Sequence, residues 1–236
     1  MLEGKNIGVV IAAAGSGTRM GLKQAKQFLE LDGKPVLVHS LAAFQRSPVV
    51  DHIVVSARRE DIETVRSWVT ARSLSKVLHI VEGGQQRQDS VWNGIQIMKN
   101  HPTDILLVHD AVRPFIDLQL ISSVTAAACS FGAAVPGVQS KDTIKLASEE
   151  GFVRNTLDRR GIWLIQTPQA FQFHLLWKAY EAAMTNGFYG TDDAALAERC
   201  GQKVKIVEGN SMNIKITTPE DFALAEQIAR VFFKER

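Results

Sequence analysis

The sequence lacks most of the features that mark specialised classes of protein. Its two cysteines, Cys129 and Cys200, lie far apart and form no CxxC pair, which excludes a cysteine-based zinc site and indicates a reducing compartment. No two of its six histidines have the HxxxH spacing of a metal site. Lys and Arg number 27 against 25 Asp and Glu, with no like-charged run longer than a dipeptide. Nucleic acid is therefore not indicated as a partner.

Long apolar segments are also lacking. No stretch approaches the roughly 18 apolar residues of a membrane span, so no association with a membrane is expected. Residues 7–14 loosely resemble a secretory signal with a small-residue cleavage site. However, Glu3 offsets Lys5, and a glycine-rich loop follows at once, so a buried first strand explains these residues better. We therefore expect a cytoplasmic protein.

What the sequence does contain is typical of a globular domain. Of its 236 residues, 45% are hydrophobic and 22% are charged, which excludes a disordered tail, a fibrous repeat and a disulfide-stabilised mini-protein. No internal repeat and no linker rich in Pro, Gly or Ser divides the chain. We therefore expect one domain that spans residues 1–236.

Short apolar runs alternate with segments of helical periodicity. The runs are continuously apolar, as in parallel strands that are buried on both faces. This alternation predicts a three-layer, Rossmann-like α/β fold with a mostly parallel sheet. The predicted strands are 7–13, 52–57, 77–81, 105–109 and 133–138, and the predicted helices are 36–45, 61–71, 89–99 and 118–130. A last helix is predicted to follow Thr218, its N-cap, with Pro219 in its first turn.

Residues 141–157 depart from this alternation. Two short β-like runs flank Gly151, which suits a turn position with positive φ, so a hairpin is predicted. An isolated two-stranded ribbon is only marginally stable in water. We therefore predict that residues 139–158 form a protruding β-arm that packs on a second subunit of a homodimer. A hairpin that lies on its own domain is the alternative.

The glycine-rich segment 12–21, after the first strand, is a candidate phosphate site, because its small residues let backbone N–H groups approach an anion. It is not a dinucleotide fingerprint, since Met20 takes the place of the third glycine, nor a GxSxG elbow, since Ala14 replaces the outer glycine. No Gly-Lys pair is followed by Ser or Thr, so it is not a P-loop either. Arg19 and Lys26 instead favour a bound triphosphate over a solvated turn.

Asp110 is predicted at the carboxyl end of the fourth strand, where open α/β sheets bind ligands. If the first and fourth strands are neighbours, Asp110 and the glycine-rich loop meet over one crevice. A carboxylate there can accept hydrogen bonds from ribose or substrate hydroxyls, or help to hold Mg²⁺. The alternative is a helix N-terminal carboxylate that the backbone satisfies.

Residues 13–20, followed by Lys26-Gln27-Phe28, resemble the signature of the sugar- and polyol-phosphate nucleotidyltransferases. More specifically, the chain resembles the 2-C-methyl-D-erythritol 4-phosphate cytidylyltransferase family of the non-mevalonate isoprenoid pathway, along its whole length. The further motifs that carry this resemblance are Gly83-Gly84 with Arg87 and Asp89-Ser90-Val91, His109-Asp110-Ala111-Val112-Arg113-Pro114, Asp142-Thr143-Ile144-Lys145, Thr156-Leu157-Asp158-Arg159, Gln166-Thr167-Pro168-Gln169, Thr191-Asp192-Asp193 and Asn213-Ile214-Lys215.

The resemblance implies Mg²⁺-dependent transfer of CMP from CTP to a polyol phosphate, with release of pyrophosphate. It names no protein ligand for the metal. The catalytic residues that it implies are Arg19, Lys26, Arg159 and Lys215. The nucleotide-binding residues that it implies are Ala13, Ala14, Gly15, Gly17, Gly84, Ser90 and Asp110. The acceptor-binding residues that it implies are Asp110, Arg113, Thr143 (from the neighbouring subunit's arm), Arg159, Thr167 and Lys215.

By spacing alone, Thr143, Arg159 and Lys215 would be ordinary residues, with Lys215 on a short β-like run at 213–217. Two other functions stay open. Ribitol-5-phosphate cytidylyltransferases share the glycine-rich loop and a very similar segment around Asp110, although residues 142–145 and 191–193 favour methylerythritol phosphate. The other is a nucleotide-binding domain without turnover, against which Arg19, Lys26 and Lys215 together argue.

Overall fold

The computed structural model describes residues 4–15 and 25–234. The strands are β1 (Ile7–Ala13), β2 (Glu30–Leu31), β3 (Lys34–Pro35), β4 (His52–Ala57), β5 (Val77–Glu82), β6 (Ile105–Asp110), β7 (Ala133–Gln139), β8 (Lys145–Ala147), β9 (Val153–Thr156), β10 (Trp163–Ile165), β11 (Gln169–Gln172) and β12 (Lys205–Glu208). The helices are α1 (Val36–Arg46), α2 (Ile62–Ala71), α3 (Arg87–Met98), α4 (Leu118–Phe131), α5 (Phe173–Thr185), α6 (Asp193–Arg199) and α7 (Pro219–Phe232).

Eight strands form the central sheet, in the order β10-β7-β11-β6-β1-β4-β5, and β12 also pairs with β7. β1 lies parallel between β4 and β6, and β5 and β12 are parallel to their neighbours. Among the strands described for this sheet, β10 and β11 are the two that run antiparallel to their neighbours. The predicted α/β class with a mostly parallel sheet is confirmed. The three short strands β10, β11 and β12 were not predicted.

Helices cover both faces of the sheet because successive side chains of its central strands are apolar and point alternately to the two faces. Val9 and Ile11 of β1 pack on one face with α1, α2 and α4, whereas Val10 packs on the other face with α3, α5 and α6. α7 closes a smaller cluster around Phe115 and Ile216. The predicted three layers are therefore present. No helix within residues 4–15 and 25–234 combines the length and the apolarity needed to cross a membrane.

The helix starts follow from capping residues. α7 begins as predicted, since Thr218 caps it and Pro219 is its first residue, while the Asp221 carboxylate accepts from the Thr218 N–H at 2.9 Å. α3 begins two residues before the predicted start, because Asp89 caps it from the third helical position by accepting from the Gln86 N–H at 2.9 Å. This earlier start places Arg87 in the first turn of α3.

The predicted hairpin is present as a separate two-stranded antiparallel sheet of β8 and β9. Gly151 lies in its turn with φ at 85°, the left-handed region that favours glycine. The ribbon exposes apolar side chains, and the Phe152 side chain is the most open of them at 74%. A fold class with a protruding β-arm is therefore confirmed.

Candidate active site

The site lies where β1 and β6 end side by side. Ala12 of β1 is in register with Asp110 of β6, and the Ala111 N–H donates to the Ala12 carbonyl at 3.1 Å. From β1 the chain proceeds first to β4 on one side and later to β6 on the other, so a topological switch point lies between β1 and β6. The expectation that Asp110 meets the glycine-rich loop over one crevice is confirmed for the described part of that loop.

A cavity of about 320 Å³ opens above these strand ends; we call it the large cavity because it is the larger of the two that border Asp110. Its lining is Ala12, Ala14, Gly15, Lys26, Gln27, Gly84, Gln85, Gln86, Arg87, Ser90, Asp110, Ala111, Val112 and Lys215. The predicted residue Ala13 is buried beside this cavity rather than lining it. Two further predicted residues, Gly17 and Arg19, lie outside the described residues.

One wall of this cavity is formed by close contact of two turns. A Cβ atom added to Gly83 would lie 2.3 Å from the Ala14 Cβ atom, so only glycine lets the turn after β5 approach the loop after β1. The Ser90 hydroxyl accepts from the Gly84 N–H at 3.0 Å and donates to the Gln86 carbonyl at 3.0 Å. Ser90 therefore fixes the turn, and small residues and backbone groups face the cavity.

Asp110 is held between two cations. Its Oδ1 atom accepts from Arg87 Nε at 2.7 Å, and its Oδ2 atom accepts from Lys215 Nζ at 2.6 Å. Burial by itself would raise the pKa of Asp110, but the charges of Arg87 and Lys215 outweigh it and hold that pKa well below its usual range. Asp110 is therefore a fixed carboxylate at neutral pH.

A buried polar chain fixes the backbone beneath Asp110. The Asp110 N–H donates to the Thr167 hydroxyl at 3.1 Å, the Thr167 hydroxyl donates to His109 Nδ1 at 3.0 Å, and His109 Nε2 donates to the Arg113 carbonyl at 3.2 Å. Burial lowers the pKa of His109 to about 3, so this imidazole is neutral. Thr167, predicted from the resemblance to bind the acceptor, thus also supports the Asp110 backbone.

A second cavity, of about 230 Å³, lies on the other side of Asp110. Its lining is Arg87, Asp110, Arg113, Ile165, Gln166, Thr167, Gln169, Thr191, Asp192 and Lys215. Arg87, Asp110 and Lys215 therefore belong to both cavities, and we call them the shared wall. Two ligands that occupy the two cavities would meet at this wall.

Arg113 and residues 213–217 close the second cavity. Arg113 donates to the Asn213 carbonyl at 2.7 Å, and Asn213 donates through its amide to the Thr167 carbonyl at 2.9 Å. The predicted β-like run at 213–217 is wrong, because these residues form no strand. Asn213 and Ile216 are instead buried, and this irregular segment carries Lys215 to Asp110.

Two predicted acceptor-binding residues lie away from both cavities of their own chain. Thr143 is exposed at the base of the arm, and Arg159 is exposed and donates to the Lys141 carbonyl at 2.7 Å. Neither side chain lines the large or the second cavity. A single chain therefore leaves Thr143 and Arg159 outside the site.

Two residues that build the site were not predicted from the sequence. Arg87 joins Asp110 to Asp193, and Gln27 donates to the carbonyls of Ala13 and Gly15 at 2.7 and 3.0 Å. Both residues belong to motifs that carry the family resemblance, Gly83-Gly84 with Arg87 and Lys26-Gln27-Phe28. Their place in these motifs is the sequence signal that could have identified them as site residues. Their partners depend on the tertiary fold, so spacing along the chain did not indicate them.

The described residues do not form a metal centre of their own. They contain no group of three or more His, Cys, Asp or Glu side chains arranged to hold an ion. Asp110 is the one carboxylate among the described residues that line the large cavity, and both of its oxygens accept from cations. This donor set does not fit a resident Mg²⁺, which needs more oxygen ligands than one paired carboxylate supplies.

Comparison with known proteins identifies the family. The family model described as 2-C-methyl-D-erythritol 4-phosphate cytidylyltransferase matches residues 7–231. The chain belongs to this family. A member from Symbiobacterium thermophilum is 46% identical over 93% of this chain and 91% of that protein, and one from Geobacillus kaustophilus is 43% identical over 94% and 96%.

Solved structures of the family share this fold. The 4-diphosphocytidyl-2C-methyl-D-erythritol synthase of Anaerococcus prevotii matches with a TM-score of 0.86 and 32% identity, covering 100% of this chain and 98% of the other. The 2-C-methyl-D-erythritol 4-phosphate cytidylyltransferase of Thermus thermophilus matches with a TM-score of 0.77 and 32% identity, covering 96% and 100%. As a member of this cytidylyltransferase family, the chain is a nucleotidyltransferase.

Proposed function

We propose that this chain transfers the CMP group of CTP to 2-C-methyl-D-erythritol 4-phosphate and releases pyrophosphate, as a step in the formation of isoprenoid precursors. The observation that carries the proposal is the shared wall, because it places a nucleotide-sized cavity beside a smaller cationic one. An oxygen of the acceptor phosphate attacks the α-phosphorus of CTP in line. The new P–O bond forms as the bond to pyrophosphate breaks.

CTP occupies the large cavity in this proposal. Gly84 and Ser90 receive the base, Ala14 and Gly15 of the loop receive the phosphates together with Gly17, and Asp110 accepts from a ribose hydroxyl. Lys26, on the cavity lining, stabilises the charge that develops on the α-phosphate and on pyrophosphate, together with Arg19. No protein nucleophile is needed, since positioning and charge neutralisation supply most of the catalysis of such transfers.

The acceptor phosphate occupies the second cavity. Arg113 and Lys215 supply positive charge there, and Thr167, whose hydroxyl hydrogen goes to His109, lines the cavity and supports Asp110 from beneath. Two anionic reactants repel each other, so cations between them are required before the attacking oxygen can approach phosphorus. Mg²⁺ would enter this scheme together with CTP rather than as a resident ion, because the one carboxylate on the described lining of the cavity is already paired.

The chain acts in this proposal as a homodimer in the cytoplasm. Residues 1–236 form one nucleotidyltransferase domain, and residues 139–158 are an arm that brings Thr143, and Arg159 directly after the arm, to the partner's second cavity. Exposed apolar side chains on the ribbon support a buried role for it in an assembly. The free state of Cys129 and Cys200 is in keeping with a reducing compartment.

The test of the reaction is release of pyrophosphate from CTP and Mg²⁺ with two acceptors assayed side by side. We expect turnover with 2-C-methyl-D-erythritol 4-phosphate and little with ribitol 5-phosphate. Turnover with ribitol 5-phosphate alone would replace the proposed acceptor. Tight binding of CTP without pyrophosphate release on either acceptor would favour a silent nucleotide-binding domain.

The test of the arm is sedimentation of a chain that lacks residues 140–154. We expect the full chain to sediment as a dimer and the shortened chain as a monomer. If both sediment alike, the arm does not hold the subunits together.

A further inference from the structure

We propose that Arg87 is a positioning residue that holds Asp110 in place, so that Lys215 can leave Asp110 and bind the acceptor phosphate. The inference rests on the proposed function, because it concerns how the second cavity accepts that phosphate. It assigns different tasks to the two cations of the shared wall. Arg87 stays with the protein carboxylates, and Lys215 moves between a protein anion and a substrate anion.

Arg87 is anchored on the side away from the cavities. Its Nη1 and Nη2 atoms donate to the Asp193 carboxylate at 3.2 and 2.8 Å, while its Nε atom donates to Asp110 at 2.7 Å. Asp193 is fully buried and also accepts from the Tyr180 hydroxyl at 2.5 Å. Three of the five N–H groups of Arg87 are thus committed to two carboxylates, one of them fully buried, so displacing this guanidinium would leave Asp193 without its cation.

Lys215 lies in a contrasting setting. Asp110 is its one salt-bridge partner in the described part of the chain, and its side chain is 37% exposed. It borders both cavities, and it stands on the irregular segment 213–217 rather than on a helix or strand. An ammonium group on a flexible stem, unlike a forked guanidinium, exchanges one oxygen ligand for another at little cost in geometry.

The exchange is feasible because Asp110 has a second cation. If Lys215 were the sole counter-ion, its departure would leave a carboxylate, 5% exposed, without compensation beside an incoming phosphate. With Arg87 retained on Asp110, the carboxylate stays paired, and the Lys215 charge becomes available for the phosphate. The strongly lowered pKa of Asp110 agrees with two cations acting on one carboxylate against its burial.

A double-mutant cycle on Arg87→Gln and Lys215→Met tests this division. Calorimetry measures the binding of 2-C-methyl-D-erythritol 4-phosphate in the presence of a CTP analogue that cannot be hydrolysed. We expect Arg87→Gln to weaken acceptor binding at least about tenfold when Lys215 is present, the loss typical of a hydrogen bond to a charged group. In the Lys215→Met background, we expect Arg87→Gln to weaken it by less than about threefold, since no lysine remains to be released.

Additive losses in the two backgrounds would overturn the proposal, because a purely structural effect of Arg87 does not depend on Lys215. Arg58→Gln is the matched control, since Arg58 pairs with Asp61 at 2.6 Å outside both cavities, and it should bind the acceptor like the unchanged chain. If Arg87→Gln does not fold because Asp193 loses its counter-ion, the same cycle is run with Arg87→Gln/Asp193→Asn. If the unchanged chain neither binds this acceptor nor releases pyrophosphate, the proposed function fails as well. If the unchanged chain does both and the losses of the two variants are additive, only the proposed role of Arg87 is rejected.

Discussion

The shared wall and the β-arm are both built from polar and charged sequence motifs, but they differ in burial. The charged groups of the wall are paired within the chain, whereas the arm exposes apolar side chains to solvent. At the shared wall, Asp110 is paired with two cations, and behind the wall Asp193 is fully buried and accepts from Arg87 and from the Tyr180 hydroxyl. On the arm, two short strands pair with each other, and the hairpin exposes Phe152, Val153 and Leu146 at 74%, 61% and 53%. The wall is complete within one chain, whereas the arm has apolar surface without cover.

This contrast separates what one chain can do from what an assembly adds. All the described residues that line the large cavity come from one chain, so we expect a single subunit to bind CTP. The second cavity holds Arg113, Thr167 and Lys215 but receives neither Thr143 nor Arg159 from its own chain. Acceptor binding is therefore the step that we expect to depend on the second subunit.

The largest effect on activity is expected for Lys26, which lines the large cavity, where CTP is proposed to bind. Lys26→Met should lower kcat by about 10²–10³, as deletion of one preorganised charge-stabilising donor does in other active sites. The proposed dimer should persist, since Lys26 lines the cavity and does not belong to residues 139–158. Steady-state release of pyrophosphate measures kcat, and sedimentation measures whether the dimer persists. Lys203→Met, which changes an exposed lysine outside both cavities, is the control, and an equal loss in both variants would contradict the role of Lys26.

Mixing two inactive variants tests whether the arm of one subunit completes the site of the other. Lys26→Met keeps an intact arm, and Arg159→Gln keeps an intact nucleotide cavity, so a mixed dimer holds one complete site. After exchange of subunits, about a quarter of the unchanged activity should return, because about half of the dimers are mixed and each has one complete site of two.

Lys26→Met mixed with Lys215→Met is the matched control for this experiment. Both residues serve the cavity of their own chain, so no mixed dimer has a complete site and no activity should return. Recovery in the control, or none in the test mixture, would contradict the crossing of the arm.

The smallest expected effect concerns stability beneath the wall. Buried His109 stays neutral in the folded chain down to its pKa of about 3, whereas in the unfolded chain it takes up a proton near pH 6.5. Between pH 6.5 and pH 3 the unfolded chain binds more protons than the folded chain. The stability that neutral His109 gives is therefore complete above pH 6.5 and decreases as the pH is lowered. His109 should contribute up to about 1.4 kcal/mol per pH unit to the free energy of unfolding.

Urea unfolding between pH 6.5 and 4.5 measures this slope, and His109→Gln should flatten it. The arm offers no buried counterpart among the described residues, since its carboxylates Glu150 and Asp158 are exposed. An unchanged slope in His109→Gln would show that His109 is not the group responsible.

The parts of the fold that follow from local patterns were predicted, and those that depend on distant partners were not. The buried parallel strands, the Thr218 cap and the Gly151 turn each leave a signal within a few residues. The position of Asp110 beside the loop needed only the adjacency of β1 and β6. Strands β10 to β12 have three or four residues each, too few for a periodicity.

Side-chain partnerships of the site lay beyond such patterns. Arg87 and Asp193 are 106 residues apart, and neither position carries a spacing signal for the other. Lys215 was assigned through the resemblance, but its segment was interpreted as β-like because alternating apolar residues there, Ile214 and Ile216, also suit an irregular segment that is anchored in a core. Tertiary packing decided between these two readings.

The shared wall also constrains how this protein could come to use a different acceptor. Any substitution at Arg87, Asp110 or Lys215 alters both cavities at once, so a change of acceptor by that route would damage nucleotide recognition too. Ile165, Gln166 and Thr191 line the second cavity without reaching the first. Divergence among related enzymes toward other polyol phosphates would therefore be concentrated at such positions, leaving the wall unaltered.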